Sequence, residues 1–138
     1  MGEKVCSQRE KGMKVFIVDD SAIVRERVTA MLSEIKGVVV IGQAQNYNEA
    51  IIAIPKLKPD VVILDIRMIG GNGIKVLENI KKDKFPPIVI MLTNYPYPQY
   101  RKRCMEAGAD FFFDKSTEFE RVIEVCQSLK RKFAKKVA

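Results

Sequence analysis

Five apolar segments alternate along the chain with five amphipathic segments, and this alternation restricts the fold more than any other feature. The apolar segments lack the regular polar positions of a strand that has one face in water. Strands that are apolar throughout are expected where helices cover both faces of a parallel sheet. The sequence therefore predicts an α/β protein, a doubly wound five-stranded parallel sheet built from a (βα)5 repeat.

Turn and capping signals bound the predicted elements. Gly37 and Gly108 end the first and fourth helices, Pro55 should kink or truncate the second, and the pattern Thr117-x-x-Glu120 should open the last. The predicted strands cover residues 14–20, 38–44, 61–65, 86–94 and 109–115, and the predicted helices cover residues 21–37, 48–60, 73–83, 98–108 and 117–133.

Length and composition exclude several classes of protein. The 138 residues suit one domain, no apolar stretch approaches the roughly 20 residues that span a bilayer, and the first residues do not resemble a signal peptide. The absence of histidine removes the Ser-His-Asp arrangement and most transition-metal sites. Three distant cysteines without a CxxC pair favour the reducing cytoplasm over a disulfide framework or a zinc site.

The net charge of +7 lies partly in a basic stretch at residues 130–136. Such a stretch can attract nucleic acid or acidic protein surfaces. The same cations can instead solvate the end of a final helix and complement its negative pole. We favour the second interpretation, because no aromatic interleaving or DNA-binding motif accompanies these residues.

Polar residues follow four of the predicted strands at the point where each strand ends. They are Asp19 and Asp20 after the first strand, Asp65 after the third, Thr93 after the fourth and Lys115 after the fifth. Parallel strands end at one edge of the sheet, where ligands of such sheets bind. Three carboxylates brought close together repel one another and imply a hard cation, for which Mg²⁺ is the best fit.

Each of these residues also has a purely structural interpretation. An acid pair after a strand is often a helix N-cap, here beside Ser21, while Thr93 can be a turn hydroxyl and Lys115 a surface cation. Their joint occurrence at successive strand ends favours a functional site.

At this point the chain resembles the receiver domain of bacterial two-component response regulators, including the chemotaxis receivers. The resemblance rests on "VDDSAIVRERV", "KPDVVILDIRM", "GGNGIKVL", "IVIMLTN" and "GADFFFDKS". It implies a flavodoxin-like sheet with the strand order 2-1-3-4-5. It also implies a receiver domain over residues 14–132, an N-terminal extension over 1–13 and a basic C-terminal tail over 133–138.

The resemblance assigns the phosphoacceptor and the metal ligands. Asp65 would accept the phosphoryl group, Asp20 and Asp65 would ligate Mg²⁺ directly, Asp19 would act through water, and the backbone carbonyl of Arg67 would add a further oxygen. The loop after the phosphoacceptor is expected to turn tightly because it is rich in glycine, at Gly70, Gly71 and Gly73.

The resemblance also implies a switch. Lys115 would neutralise one phosphoryl oxygen and Thr93 would donate its hydroxyl to another. In the family the threonine then moves inward, an aromatic residue follows it, and the face made by helix four, strand five and helix five changes. The aromatic position here is Phe112, while Phe111 and Phe113 are expected in the core.

Several positions depart from the usual receiver pattern. Ile69 replaces a frequent proline, Asn94 replaces a small residue that governs water access, and Ser116 replaces the common cis-forming proline after the lysine. The loop "NYPYPQY" carries three tyrosines of the kind favoured in interfaces, which makes a partner surface an alternative to plain loop packing.

These features predict a stand-alone receiver that is not an enzyme beyond its own phosphorylation and slow dephosphorylation. Its expected partners are a sensor histidine kinase or histidine phosphotransfer protein, a downstream target on the switch face and a second copy of the chain, without nucleic acid or membrane. A phosphorylation-independent interaction module is the main alternative. A phosphohydrolase that forms an aspartyl-phosphate intermediate is disfavoured. Enzymes of the haloacid-dehalogenase type have the nucleophile and the acid two residues apart after the first strand, whereas Asp19 and Asp20 are adjacent.

Overall fold

The computed structural model describes residues 12–68 and 71–137 of the chain. Within them, five strands and five helices alternate from β1 to α5. The strands are β1 (Met13–Val18), β2 (Val38–Ala44), β3 (Val61–Leu64), β4 (Ile88–Thr93) and β5 (Phe111–Asp114), and the helices are α1 (Ala22–Ser33), α2 (Tyr47–Leu57), α3 (Gly73–Ile80), α4 (Pro98–Glu106) and α5 (Phe119–Val137).

The five strands form one parallel sheet in the order β2-β1-β3-β4-β5. The predicted fold class and strand order are therefore confirmed. The sequence pattern did not reveal one small addition, an antiparallel ladder in the loop after β3 that pairs Arg67–Met68 with Gly71–Asn72.

Two apolar cores lie on opposite faces of this sheet. Phe16 and Val18 of β1 pack with α2, α3 and α4, whereas Val15 and Ile17 pack with α1 and α5. Because successive side chains of a strand point to opposite faces, both sets of positions must be apolar. This explains why the strand segments show no polar alternation.

The helix ends follow the sequence signals only in part. The Ser21 hydroxyl accepts a hydrogen bond from the Val24 N–H and caps α1. Pro55 lies inside α2, which continues to Leu57, so the helix is not truncated at the proline, and the alternative of a kink stays a prediction. Burial of Ala50 and Ile54 supports α2 against the loss of one helix hydrogen bond.

The last helix differs from its prediction at its start. The turn before α5 is closed by Glu118, whose carboxylate accepts from the Asp114 N–H at 3.0 Å, rather than by the predicted pair of Thr117 and Glu120. At its other end α5 continues to Val137, so residues 130–136 belong to the helix, as the second interpretation of the basic stretch required.

Cys104 and Cys126 are free, fully buried thiols. Burial raises the pKa of Cys104 to about 11 and that of Cys126 to about 12, which leaves both unreactive at neutral pH. Cys6 lies outside the described residues. In the described part of the chain, no helix combines the length and the apolar character needed to cross a membrane.

Candidate functional site

Three carboxylates meet at the carboxyl edge of the sheet. Asp19 and Asp20 follow β1, Asp65 follows β3, and one carboxylate oxygen of each lies within 4.8 Å of those of the other two. Asp19 and Asp65 are 3% and 5% exposed, whereas Asp20 faces solvent. The structure thus brings together the acidic residues that the sequence predicted at this edge.

Lys115 joins the two buried carboxylates. Its ammonium group lies 2.7 Å from the Asp19 carboxylate and 3.2 Å from the Asp65 carboxylate. The second oxygen of each acid accepts a backbone N–H, from Ser21 at 2.9 Å and from Ile66 at 2.7 Å. Both side chains are therefore held in fixed orientations, with one cation shared between two charges.

This sharing leaves the site short of positive charge. The pKa of Asp65 is raised to about 6. Burial is the largest cause and raises it, the charge of Lys115 lowers it, and the charge of Asp19 raises it. Burial alone would lower the pKa of Lys115, but its hydrogen bond to Asp19 and the neighbouring carboxylate charges raise it above the ordinary value. Lys115 is thus a permanent cation beside a carboxylate whose ionised form is disfavoured.

The residues present fit a divalent cation. Three carboxylates carry three negative charges, Lys115 is the cation that contacts two of them, and the donor atoms that the three acids offer are oxygens. Oxygen-only donors with excess negative charge suit Mg²⁺, which binds proteins through one or two carboxylates and keeps several waters. An exposed Asp20 beside a buried pair leaves room for such waters.

A cavity of about 340 Å³ opens over these residues, lined by Asp20, Ser21, Val24, Asp65, Arg67, Met68, Asn94, Tyr95 and Lys115. The guanidinium of Arg67 stacks on the Tyr95 ring at 4.3 Å and so bounds the cavity on one side. The predicted role of the Arg67 carbonyl as a metal ligand stays a prediction. The sequence did not predict that the Arg67 side chain borders the cavity, because Arg67 and its stacking partner Tyr95 lie far apart along the chain.

The two switch residues lie on the neighbouring strands β4 and β5. Thr93 is fully buried at the end of β4 and its hydroxyl accepts the Tyr95 N–H at 3.0 Å. Phe112 is 4% exposed and is covered by the Arg101 guanidinium, 4.7 Å from the ring centre. Neither lines the cavity, and their predicted movement stays a prediction.

The departures from the receiver pattern fall at the rim of the site. Asn94 is exposed and lines the cavity. Ser116 lies in a hydrogen-bonded turn, and every peptide bond in the described ranges is trans. Ile69 and Gly70 lie outside the described residues. Gly73 begins α3 against the Asp65 carbonyl oxygen, so close that any Cβ there would overlap it.

The three tyrosines after β4 form a row. The rings of Tyr95 and Tyr97 are 6.4 Å apart and those of Tyr97 and Tyr100 are 5.8 Å apart. Tyr97 is 49% exposed while Tyr100 packs against the core. Part of the row is thus loop packing and part is open surface, and the partner-surface hypothesis for the three tyrosines stays a prediction.

Comparison with known proteins gives consistent matches. A family model described as the response regulator receiver domain matches residues 15–127. The sensory transduction protein LytT of Bacillus anthracis is 32% identical over 119 residues, which are 86% of this chain and 48% of that protein. The chain thus spans about half the length of the curated relatives it matches.

Solved structures of receiver proteins have the same fold as this chain. The response regulator domain of Thermotoga maritima CheB superposes with a TM-score of 0.77 at 29% identity, over 90% of this chain and 97% of that domain. CheY in the CheX-CheY-BeF3-Mg complex of Borrelia burgdorferi gives a TM-score of 0.71 at 31% identity, over 82% of this chain and 88% of the other. The solved structures therefore support the same receiver fold as the family match.

Proposed function

The chain belongs to the response regulator receiver domain family, and from this premise we propose that Asp65 accepts a phosphoryl group from a phosphohistidine on a partner protein. The donor would be a sensor histidine kinase or a histidine phosphotransfer protein, as the family membership implies, and the given sequence contains no histidine that could serve instead. The bond that forms joins an Asp65 oxygen to phosphorus, and the phosphorus–nitrogen bond to the donor imidazole breaks.

One observation carries this proposal: Asp65 presents a carboxylate oxygen to an open cavity, 3.2 Å from the permanent cation Lys115. Phosphoryl transfer needs little covalent chemistry from a protein beyond positioning and neutralisation of charge. The Ile66 N–H fixes the other Asp65 oxygen, so the nucleophilic oxygen has a defined direction. Lys115 can then move its contact from the carboxylate to an incoming phosphoryl oxygen.

Mg²⁺ is the proposed cofactor, held by Asp19, Asp20 and Asp65 together with the Arg67 carbonyl. When bound, it supplies positive charge to the transferring group. The solved CheX-CheY-BeF3-Mg complex of Borrelia burgdorferi, matched at 31% identity, contains both BeF3 and Mg²⁺. The surplus of carboxylate charge over Lys115 supports the same ion here.

The proposed donor surface is the start of α1. Ile23 is 77% exposed, and its neighbours Ser21 and Val24 line the cavity. Ile23 would offer a donor protein an apolar contact beside the cavity that contains Asp65. A donor imidazole could thus approach Asp65 while its protein packs on Ile23.

The proposed output is a change at the face formed by α4, β5 and α5. Thr93 would donate its hydroxyl to the phosphoryl group, and Phe112 would respond by a change in ring packing. A downstream protein or a second copy of the chain would bind this face, in the bacterial cytoplasm and without direct contact to nucleic acid. The turnover would be limited to phosphorylation and slow dephosphorylation of Asp65.

A second candidate is an interaction module that does not depend on phosphorylation. The observation in its favour is Phe112, which is buried beneath the Arg101 guanidinium and does not line the cavity. If this packing is permanent, phosphorylation of Asp65 cannot change the face.

The test is incubation with acetyl phosphate and Mg²⁺, followed by intact mass measurement. We expect a labile phosphoryl adduct on the unaltered protein and none on Asp65→Asn. The matched control is Asp60→Asn, which replaces a carboxylate at the opposite edge of the sheet and should keep the adduct. Absence of an adduct on the unaltered protein would favour the second candidate, and steady hydrolysis of unrelated phosphate esters would favour a phosphohydrolase.

A further inference from the structure

The loop that carries Lys115 is closed by its own polar side chains. The Asp114 carboxylate accepts both the N–H and the hydroxyl of Ser116, at 2.9 and 2.7 Å. The Glu118 carboxylate accepts the Asp114 N–H at 3.0 Å, and the Glu118 N–H donates to the Asp114 carbonyl at 2.8 Å. Residues 114–118 thus form a turn that is closed by a ring of hydrogen bonds, and Lys115 is one of the residues of this turn.

This ring fixes the backbone on both sides of Lys115. On one side, the Lys115 N–H donates to the Thr93 carbonyl at 2.8 Å, which extends the pairing of β4 and β5. On the other side, the next N–H, that of Ser116, is bound by Asp114. The position of the Lys115 Cα is therefore determined by hydrogen bonds and not by packing alone.

Lys115 needs such a fixed origin because its side chain is long and flexible. Its ammonium group must reach two carboxylates at once, at 2.7 and 3.2 Å. A lysine anchored on a mobile loop would lose this double contact, because four rotatable bonds must be ordered to keep it. A displacement of about 1 Å in a positioned group can cost about 100-fold in rate.

We propose that Ser116 and Glu118 are positioning residues, which act through Asp114 to hold the Lys115 ammonium between Asp19 and Asp65. The polar ring fills the place that a proline after the lysine occupies in the usual receiver pattern. This inference rests on the proposed function for its effect on phosphorylation, but the position of Lys115 can be measured independently. The Ser116 hydrogen bonds also lower the pKa of Asp114, as expected for a carboxylate that accepts them in its charged form.

The principal variant is Asp114→Ala, which removes the acceptor for both Ser116 donors. We expect phosphorylation by acetyl phosphate to slow about tenfold, while the dissociation constant for Mg²⁺ changes less than about twofold, because the metal-binding carboxylates keep their own hydrogen bonds. Asp114→Asn, which restores an acceptor oxygen, should recover most of the rate. Equal losses of Mg²⁺ affinity and rate would indicate general distortion and overturn the proposal.

Asp83→Ala is the matched control. Asp83 accepts the Phe85 N–H at 3.3 Å in a similar turn at the opposite end of the molecule, so this variant loses a turn contact without touching Lys115. It should be phosphorylated at the unaltered rate. If Asp114→Ala does not fold, Ser116→Ala removes only the hydroxyl contact, and a rate unchanged within about twofold would overturn the proposal.

A second readout separates this inference from the proposed function. The ammonium resonance of Lys115 in a heteronuclear NMR spectrum should be resolved in the unaltered protein, because both carboxylates hold it, and broadened in Asp114→Ala. If the unaltered protein takes no phosphoryl group and the resonance still broadens, the proposed function fails and the positioning role stands. A resonance that persists in Asp114→Ala overturns the positioning role.

Discussion

The two edges of the sheet use the same residue type in opposite ways. At the amino edge, Asp60 precedes β3 and accepts the Lys14 N–H at 2.8 Å, and Asp110 precedes β5 and accepts the Val89 N–H at 2.8 Å. Each caps the start of a neighbouring strand. At the carboxyl edge, Asp19 and Asp65 instead compete for Lys115.

The direction of the strands explains this difference. All strands of a parallel sheet expose unpaired N–H groups at one edge and unpaired carbonyl groups at the other. Carboxylates at the first edge find donors and stabilise the fold. At the second edge, Asp19 and Asp65 each accept one N–H from their own loop, and their remaining oxygens both depend on Lys115, so they remain available for a further cation.

The first test of this comparison adds a methyl group near each edge of the sheet. Gly73→Ala should destabilise the protein by about 4 kcal/mol, because the new Cβ overlaps the Asp65 carbonyl oxygen. Gly108→Ala, near the amino edge, should cost about 1 kcal/mol, since its left-handed backbone is strained but the nearest atoms belong to the flexible Lys81 side chain. Urea unfolding measures both, and equal losses would contradict the comparison.

The second test removes the charge of Asp65. In the absence of Mg²⁺, Asp65→Asn should raise the free energy of unfolding at neutral pH by up to about 3 kcal/mol, because the native pKa is about 6 against an ordinary 3.8. Lys115 keeps Asp19 as its partner. The measurement is denaturant unfolding in a chelator, and a loss of stability would show that Asp65 stabilises the fold as the amino-edge acids do.

The third test removes an acid at the amino edge, where we expect a loss of stability instead of a gain. Asp110→Ala should destabilise the protein by about 2 kcal/mol, because the Val89 N–H and the Lys81 ammonium both lose an acceptor. Asp110→Asn, which keeps one acceptor oxygen, should cost about half as much. Thermal unfolding would reveal both changes, and a gain of stability in either variant would remove the contrast between the edges.

The last test follows the same raised pKa of Asp65 through the slope of stability against pH, which is small over any one pH unit. Between pH 3.8 and about 6, native Asp65 holds a proton that the unfolded chain has released, so stability falls as pH rises. The contribution is at most about 1.4 kcal/mol per pH unit. Comparison of metal-free unaltered protein with Asp65→Asn isolates it, and identical slopes for the two proteins would argue against a raised pKa of Asp65.

Much of this architecture was predictable because it depends on local patterns. Apolar runs predicted the strands, and the position of Asp65 directly after such a run placed it at the carboxyl edge. The same reasoning did not single out Asp60 or Asp110, although each stands directly before a strand. Their hydrogen-bond partners, Lys14 and Val89, lie on other strands, so the sequence near each aspartate does not show its role.

The sequence by itself determined the α/β repeat, the direction of the strands and the identity of the residues at their carboxyl ends, because hydrophobic period and chain order are local properties. Only the tertiary structure decided how close the acids lie, that Lys115 serves two of them, that Arg67 stacks on Tyr95 and that a polar ring holds the Lys115 loop. These contacts depend on distances between segments that are remote in sequence. Such distances are set by the packing of the whole sheet.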